Sequence, residues 1–351
     1  MWCRSLHLRN FKNITNGTLS FHPGMNLFAG SNGAGKTNCL EAFHLLLGWG
    51  PLSDRKDIAT WDSEEKRTYI TGDFEGEEEA FLALGIGGNT IVKYNGKRCS
   101  FPDIRSAVPA LAFLPADMAL LDGAPSRRRS FLDRLCALLY PMYARRLGEF
   151  RKAVRHRSVL LRQGGNLAPL SRAAAPLAAW IWGARRAAAG VLAERLQELD
   201  DILPRSIDLF HLRGGGGREE DPLEDWWKSL DAQREKERLS CVPLVGPHRD
   251  DLAVCCGERL AASCFSRGQK RRASVALIVA AGKCVERRLR RKPLLLLDEI
   301  ASELDMEGRE ITVSALSRTG WQIFATAAEE VVRQWPGKIW NIEKGRISPL
   351  S

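Results

Sequence analysis

Two short motifs, far apart in this 351-residue chain, constrain its fold more than any other feature. The first is the glycine-rich run Gly30-Ser31-Asn32-Gly33-Ala34-Gly35-Lys36-Thr37. The second is the apolar run Leu294 to Leu297, which ends in Asp298 and Glu299. About 260 residues separate the two, whereas a single-lobe nucleotide-binding domain holds such motifs closer together. We therefore expect a nucleotide-binding domain whose chain leaves, builds another domain and returns.

The glycine-rich run has the pattern of a loop that wraps phosphate groups. Its glycines let backbone N–H groups approach phosphate oxygens, Lys36 can reach the β- and γ-phosphates, and the Thr37 hydroxyl can bind Mg²⁺. The apolar residues 25–29 predict a strand before the loop, and apolar positions at helical spacing over 39–47 predict a helix after it. We expect all eight residues of the run to bind ATP.

The apolar run Leu294–Leu297 predicts a buried strand of a parallel sheet that ends in two carboxylates. Such a strand would bring Asp298 to Mg²⁺ and Glu299 to the water that attacks the γ-phosphate. The alternative is a strand that ends in solvated acids, and the presence of Lys36 argues against it. We expect Thr37 and Asp298 to be the metal ligands and Glu299 and Lys36 to be the catalytic groups.

A third motif, Ser266-Arg267-Gly268-Gln269, precedes a predicted helix and resembles the signature loop of ABC-type ATPases. That resemblance implies that the serine, the glycine and the helix dipole act in trans on ATP held by a second subunit. The following run Ala301-Ser-Glu-Leu-Asp305 resembles the D-loop of the same superfamily, with Asp305 as its acid.

Two residues usual in that superfamily are missing. No glutamine lies between Asn38 and Arg162, where the Q-loop glutamine would stand, and no histidine follows Glu299. Thr326 stands at about the position of the switch histidine. These departures argue against a transporter-type power stroke and against fast hydrolysis.

Composition narrows the class of partner. With 52 Lys and Arg against 42 Asp and Glu, the net charge is +10 and the pI about 9.3, which favours polyanions; ordinary solubilising charge is the alternative. The nine cysteines include no CxxC pair, and no apolar run reaches the length of a membrane helix. We expect a cytoplasmic protein with reduced thiols.

The predicted fold class is α/β, an ABC-type P-loop ATPase head with an antiparallel β subdomain and an inserted α-helical arm domain. We expect residues 1–122 and 236–351 to form the split head and residues 123–235 to form the arm. Within the head, an Asn95-Gly96 pair predicts a type I′ hairpin turn. The glycine-rich run 213–222 predicts a flexible loop.

Several longer strings resemble the RecF family of bacterial recombination mediators, relatives of the SMC ATPase heads. They are Leu8-Arg-Asn-Phe-Lys12, Phe113-Leu-Pro115, Pro125-Ser-Arg-Arg-Arg-Ser-Phe-Leu-Asp133, Gly246-Pro-His-Arg-Asp-Asp251, Ser266–Gln269 and Leu297–Asp305. The family often has aspartate where Glu299 stands here, and the arm is similar only loosely.

The resemblance implies an ATP-dependent homodimer that binds duplex, gapped or single-stranded DNA. It also implies that the protein works directly with RecR and indirectly with RecO, RecA and SSB. With these partners it would help to load RecA at single-strand gaps during DNA repair, replication restart and SOS induction. A weak, DNA-dependent ATPase activity is expected. Two rival readings are the ATPase subunit of a transporter and a nucleotide-dependent scaffold whose hydrolysis is incidental.

Clusters of positive charge supply candidate DNA contacts through phosphates, without base readout. The candidates are Arg127, Arg128, Arg129, Arg151, Lys152, Arg155, Arg287 and Arg288. His248 and Arg249 form either a head-interface or nucleotide-sensing pair or a turn before a strand. Trp226 and Trp227 are expected to pack the arm rather than to stack on bases.

Overall fold

The structure is a computed structural model that describes residues 1–52, 58–60, 63–216, 219–299, 304, 306–327 and 335–350. The chain divides into two compact units. The head unit comprises residues 1–118, 201–204 and 267–351, and the arm unit comprises residues 119–200 and 205–266. The arm unit therefore extends 31 residues past the predicted end at 235, because residues 236–240 continue a helix of the arm and residues 251–255 pair with residues 208–212.

Most of the described residues belong to strands and helices. The strands are β1 Trp2–Arg9, β2 Gly17–Ser20, β3 Met25–Ala29, β4 Thr68–Glu75, β5 Ala80–Ile86, β6 Ile91–Tyr94, β7 Lys97–Arg98, β8 Ala110–Phe113, β9 Asp208–Leu212, β10 Asp251–Cys256, β11 Arg259–Leu260, β12 Leu294–Leu297, β13 Ile323–Ala327, β14 Lys338–Glu343 and β15 Arg346–Pro349. The helices are α1 Lys36–Leu46, α2 Phe101–Ala107, α3 Pro125–Leu139, α4 Tyr143–Gln163, α5 Ala168–Leu196, α6 Pro222–Ser240, α7 Ala261–Cys264, α8 Arg267–Leu289 and α9 Met306–Arg318.

One sheet of the head unit is antiparallel throughout, with the order β2-β1-β4-β5-β6-β7. Buried and solvent-facing residues alternate along β4, as a sheet with one covered face requires. At the β6–β7 turn, Asn95 and Gly96 have φ angles of 48° and 79°. Positive φ at both central residues defines a type I′ turn, so this prediction is confirmed.

The second sheet of the head unit has the order β15-β14-β3-β13-β12-β8, and all neighbours from β14 to β8 are parallel. Strand β12 lies between β13 and β8 and is fully buried, as its four leucines predict. Helix α1 contacts strands of both sheets, and its apolar side chains join one core with both. In this core the rings of Phe43 and Phe324 stack 4.1 Å apart.

The arm unit packs helices α3 to α6 beside the small antiparallel sheet β11-β10-β9. Helix α5 spans 29 residues and buries an alanine-rich face. Within the residues that the structure describes, no helix is long and apolar enough to cross a membrane. Trp226 is 1% exposed and packs against Trp182, whereas Trp227 is 42% exposed. The packing role expected for both tryptophans therefore holds for Trp226 alone.

The glycine-rich run begins as ordered structure rather than as a flexible loop. The Gly214 N–H donates to Asp250 Oδ1 at 2.8 Å, and the Gly214 carbonyl accepts from Gly246 N–H at 2.8 Å. A Cβ on Gly214 would lie 2.4 Å from Arg249 Cβ, so only glycine fits. The prediction is therefore wrong at Gly214. Residues 217 and 218 lie outside the described part, and flexibility of the rest of the run stays a prediction.

Candidate nucleotide site and basic surfaces

The phosphate loop joins β3 to α1, as predicted. Gly30, Gly33 and Gly35 have φ angles of 151°, 79° and 119°, which side chains disfavour. A Cβ on Gly30 would lie 2.3 Å from the Ile342 carbonyl oxygen, so the loop also depends on close approach to β14. Gly35 caps α1 without a side-chain hydrogen bond, which leaves the helix N-terminus to the loop.

Lys36 folds back over the loop. Its Nζ donates to the carbonyl oxygens of Gly30 at 2.7 Å and Ser31 at 3.0 Å, and the residue is 8% exposed. The ammonium therefore lies inside the loop, where a bound polyphosphate would offer it stronger acceptors than two carbonyls.

The strand order explains why distant residues meet at this loop. Strand β13 lies between β3 and β12, so the carboxyl ends of all three strands reach the same edge of the sheet. Thr37 Oγ1 lies 3.0 Å from Asp298 Oδ2, and Thr326 Oγ1 lies 2.5 Å from Asp298 Oδ1. Asp298 is 4% exposed. The predicted pairing of Thr37 with Asp298 is present in the geometry.

Thr326 also connects Asp298 to Glu299. Its hydroxyl donates to Asp298 and accepts the Glu299 N–H at 2.8 Å. Glu299 has a φ of 53°, a left-handed conformation that a non-glycine residue rarely adopts without support from its surroundings. At the place of the expected switch histidine, the threonine thus holds the backbone of the predicted catalytic glutamate.

The donor set fits Mg²⁺. A hydroxyl and a carboxylate are hard oxygen ligands, and Mg²⁺ beside nucleotides is usually bound by one or two protein groups together with phosphates and waters. The described residues contain no cluster of three or more His, Cys, Asp or Glu of the kind that forms an all-protein metal site. When bound with ATP, Mg²⁺ would neutralise charge on the β- and γ-phosphates, with Thr37 and Asp298 as its protein ligands.

Three residues that sequence reasoning missed support the loop from outside. Asn38 Nδ2 donates to Asn13 Oδ1 at 2.7 Å, and Asn13 Nδ2 donates to Ala34 O at 3.3 Å. The Gly345 N–H donates to the same Ala34 carbonyl at 3.0 Å. A Cβ on Gly345 would lie 1.7 Å from the Asn13 carbonyl oxygen. No local pattern marks these residues, because each contact joins residues at least 21 positions apart along the chain.

The signature residues 266–269 stand at the N-terminus of α8, as predicted from the sequence. Helix α8 has 23 residues and no acid in its first turn, so its positive dipole end is not offset by a carboxylate of its own first turn. The action of Ser266, Arg267, Gly268 and Gln269 in trans stays a prediction. Asp305 of the predicted D-loop lies outside the described residues.

The three basic candidates on α3 differ in whether their guanidinium groups already form ion pairs and hydrogen bonds within the protein. Arg128 forms an ion pair with Asp251 at 2.7 Å and donates to two backbone carbonyls, and Arg129 donates to the Asp250 carbonyl at 2.8 Å. Arg127 is exposed. The guanidinium groups of Arg128 and Arg129 thus serve the packing of the arm unit, and a DNA contact by this run stays a prediction.

The remaining candidates are all exposed. On α4, Lys152 and Arg155 are exposed, and Arg151 pairs with Asp133 at 3.1 Å. Arg287 and Arg288 lie in the last turn of α8, before β12 begins, whereas Asp298 follows the end of β12. These two arginines therefore lie toward the edge of the parallel sheet opposite the nucleotide site.

The string Gly246–Asp251 forms a buried polar centre in the arm unit. Asp250, 1% exposed, accepts hydrogen bonds from Arg185 Nη1 at 2.6 Å, Trp182 Nε1 at 2.8 Å and Gly214 N–H at 2.8 Å, and His211 Nε2 lies at 2.9 Å. Burial alone would raise the pKa of Asp250, but the His211 hydrogen bond and the Arg185 charge hold it below its ordinary value. Asp250 is thus an ionised anchor that holds α5, β9 and the loop at Gly214 together.

His248 and Arg249 form a single helical turn before β10. His248 Nε2 and Arg249 Nε each donate to the Pro243 carbonyl, at 3.1 and 3.0 Å. Burial lowers the pKa of His248 to about 4. Of the two readings left open for this pair, the geometry favours the turn.

The strand order, the phosphate loop and the Thr37–Asp298 pair define a P-loop ATPase head of the SMC type. Among known proteins, the family model described as RecF/RecN/SMC N terminal domain matches residues 3–344. The chain therefore belongs to this family, among its RecF members. This confirms both the resemblance and the predicted fold class.

Relatives and solved structures match this chain over nearly its whole length. The DNA replication and repair protein RecF of Heliobacterium modesticaldum is 30% identical and aligns over 99% of each chain. That of Myxococcus xanthus is 31% identical over 93% of this chain and 90% of its own. A structure of the recombination mediator protein RecF with ATPrS superposes with a TM-score of 0.87 at 26% identity, covering 100% of this chain and 98% of the other. An SmcHead structure, at 16% identity and a TM-score of 0.62 (100% and 98% covered), shares the fold.

Proposed function

We propose that this protein is an ATP-dependent DNA-binding recombination mediator that acts in DNA replication and repair. The observation that carries the proposal is the meeting of Lys36, Thr37, Asp298 and Glu299 at one edge of the parallel sheet. The names of the relatives, DNA replication and repair protein RecF, support the biological role.

In this proposal ATP binds at the phosphate loop of one copy, and Ser266–Gln269 of a second copy complete the site. Lys36 and Thr37 hold the triphosphate and its Mg²⁺, Asp298 completes the metal site, and Glu299 orients the attacking water. Closing the dimer gathers positive charge on DNA and helps load RecA at single-strand gaps. RecR is the expected direct partner, with RecO and SSB linked through it.

The first test concerns ATP-driven dimerisation. Lys36→Ala should abolish both ATP binding and the shift to a dimer in sedimentation velocity, because the triphosphate loses its main cation. Lys97→Ala, which removes an exposed charge from β7, is the matched control and should dimerise normally. Dimerisation by Lys36→Ala at the parental ATP concentration would overturn the shared-site model.

The second test separates the trans role from nucleotide binding. Ser266→Arg should bind ATP with parental affinity but neither dimerise nor turn over, because a large cation would occupy the space for the partner's γ-phosphate. Parental turnover by this variant would contradict a role in trans.

A scaffold whose ATP state sets dimer lifetime is a second candidate function, and the threonine at the switch position supports it. Glu299→Gln should lengthen the dwell time of the protein on DNA if hydrolysis times release, measured by single-molecule fluorescence. An unchanged dwell time would favour the scaffold. DNA affinity should decline steeply with salt in either case.

A further inference from the structure

The solvent-facing side of the antiparallel sheet in the head unit contains a recess of about 290 Å³. The recess is deepest over β5, because small residues occupy this strand between β4 and β6. Gly85 pairs with Tyr69 on one side and with Ile91 on the other, and Ala83 pairs with Thr71 and Lys93. The Tyr69 ring and the Ile91 side chain thus stand on either side of a glycine.

The rim of this recess is positively charged. Arg67 and Lys93 line it, both are exposed, and its described lining residues include no acid. Arg9, whose guanidinium lies 5.6 Å from the centroid of the Tyr69 ring, is paired with Glu65 at 3.0 Å. A second recess of about 620 Å³ adjoins it, sharing Asn89 and Ile91, and contains Arg98, the cross-strand partner of Lys93. Its described lining residues include no acid, and the nearby Asp103 carboxylate accepts hydrogen bonds from Ser100, one of those residues. The two recesses together form a track along β4 to β7, in which Arg67, Lys93 and Arg98 lie beside apolar side chains.

We propose that this track binds single-stranded nucleic acid. An unpaired base would rest against Tyr69 and Ile91, and the neighbouring phosphates would pair with Lys93, Arg67 and Arg98. Proteins that bind single strands combine a basic groove with aromatic rings on which bases stack. The inference rests on the proposed function, since it names the form of DNA that the head unit recognises outside the nucleotide site.

Other ligands fit the track less well. A duplex keeps its bases stacked inside, so it can reach the cations but not the recess beside Tyr69. An acidic peptide could pair with the cations, but its binding would not require an aromatic ring beside Gly85. Covering Gly85 explains the position of the Tyr69 ring, which lies 3.7 Å from where a Gly85 Cβ would stand. It does not explain the row of cations.

The test uses the full chain without nucleotide and a fluorescein-labelled oligothymidylate of about ten nucleotides. Tyr69→Leu, which still covers Gly85, should weaken binding about tenfold in fluorescence anisotropy, whereas Tyr69→Phe keeps the ring and should bind within about twofold of the parent. Lys93→Gln should reduce the slope of log affinity against log salt by about 0.7. Arg346→Gln, a charge removed from the other sheet, should change neither quantity.

The proposal is overturned if the parent binds no single strand or if Tyr69→Leu binds like the parent. It is overturned equally if Tyr69→Leu loses the same affinity for a duplex, since only phosphate contacts would then remain, or if polyglutamate competes as well as the oligonucleotide does.

A crosslinking measurement on the parent chain does not depend on the variants folding. An oligonucleotide with 5-iodouracil should crosslink under ultraviolet light to peptides containing Tyr69 or residues 91–93, and crosslinks found only elsewhere would refute the site. The crosslinking and anisotropy measurements contain no nucleotide, so they do not depend on ATP-driven dimerisation. The Lys36→Ala experiment tests the proposed function alone, and its failure would not change the outcome of the single-strand measurements.

Discussion

Asp298 in the head unit and Asp250 in the arm unit are both buried carboxylates next to a strand, but their partners differ. Among the described residues, the Asp298 side chain is hydrogen-bonded by two hydroxyls, from Thr37 and Thr326. Asp250 is bonded by an arginine, a tryptophan, a backbone N–H and a histidine. The first carboxylate keeps lone pairs for a metal, and the second has none to spare.

The difference distinguishes a reactive site from a structural anchor. Neutral hydroxyls can reorient toward Mg²⁺ or a nucleotide at little cost, so the head unit tolerates exchange of ligands at Asp298. The partners of Asp250 include the buried guanidinium of Arg185, which also pairs with Asp133 at 2.7 Å, so removal of Asp250 leaves this buried cation with one carboxylate instead of two. A signature string of the family thus has its clearest role here in holding the arm together.

The largest expected effect on stability and turnover comes from replacing Asp250 or Asp298 by alanine. Asp250→Ala should lower the free energy of unfolding of the arm unit by about 3 to 5 kcal/mol, since Arg185, Trp182, His211 and the Gly214 N–H all lose their acceptor and Arg185 keeps only Asp133 as a paired carboxylate. Asp298→Ala should cost the head unit about 1 kcal/mol but abolish turnover. Urea unfolding, with hydrogen exchange of α5 amides to report on the arm, measures both. Equal costs in the two units would remove the distinction.

The next effect is a pH dependence of the stability of the arm unit. His248 has a folded pKa of about 4, below its ordinary value near 6.5, so the unfolded chain takes up a proton first as pH falls. Its contribution is constant above about pH 6.5 and is lost progressively down to pH 4, by about 2 to 3 kcal/mol.

Urea unfolding between pH 7 and 4.5 measures that loss, and His248→Gln should flatten the slope. Asp250, whose pKa is lowered, contributes stability above its ordinary value near 3.8 and loses it only at lower pH. The two groups therefore act in different windows. A slope unchanged by His248→Gln would show that the histidine is not buried neutral.

A smaller effect is expected at Thr326. Thr326→Val removes both the hydrogen bond to Asp298 and the acceptor of the Glu299 N–H, so turnover should fall about 10- to 100-fold with ATP affinity little changed. Thr326→Ser keeps the hydroxyl and should remain within a few-fold of the parent. Steady-state ATPase assays and nucleotide titrations separate the two quantities. Equal activity of the valine and serine variants would exclude a positioning role.

The smallest effect concerns an exposed charge of α4. Arg155→Gln should change the free energy of unfolding by less than about 0.5 kcal/mol and reduce the salt slope of DNA binding by about 0.9. Arg145 on the same helix is paired with Glu149 at 3.0 Å, so Arg145→Gln should change the slope less. A larger change with Arg145→Gln would place the DNA on another face.

The two carboxylates also differ in how well the sequence predicts them. Asp298 follows a run of four leucines, and a buried parallel strand that ends in an acid is a local pattern. Asp250 gives no such signal, because its donors lie 36 to 68 residues away along the chain. The same long-range contacts order Gly214, although the composition of its run predicts a flexible loop.

The predicted end of the arm at residue 235 is wrong for a related reason. Residues 236–240 continue α6, and the segment that follows is joined to the arm unit by long-range contacts, the pairing of β9 with β10 and the packing of β10 on α3. The sequence suggests Thr326 for the switch position. Its link between Asp298 and Glu299 could not be predicted, because it depends on β13 lying between β3 and β12.

The contact of Gly345 with Ala34 and Asn13 has a consequence for synthesis of the chain. The loop that receives phosphate is braced by residue 13 and by residue 345, so a nascent chain on the ribosome has the motif long before it has the brace. Strands β12 and β13, which flank the loop with Asp298 and Thr326, also emerge late. ATP is therefore expected to bind only after residue 345 has left the ribosome, when the arm has had time to fold.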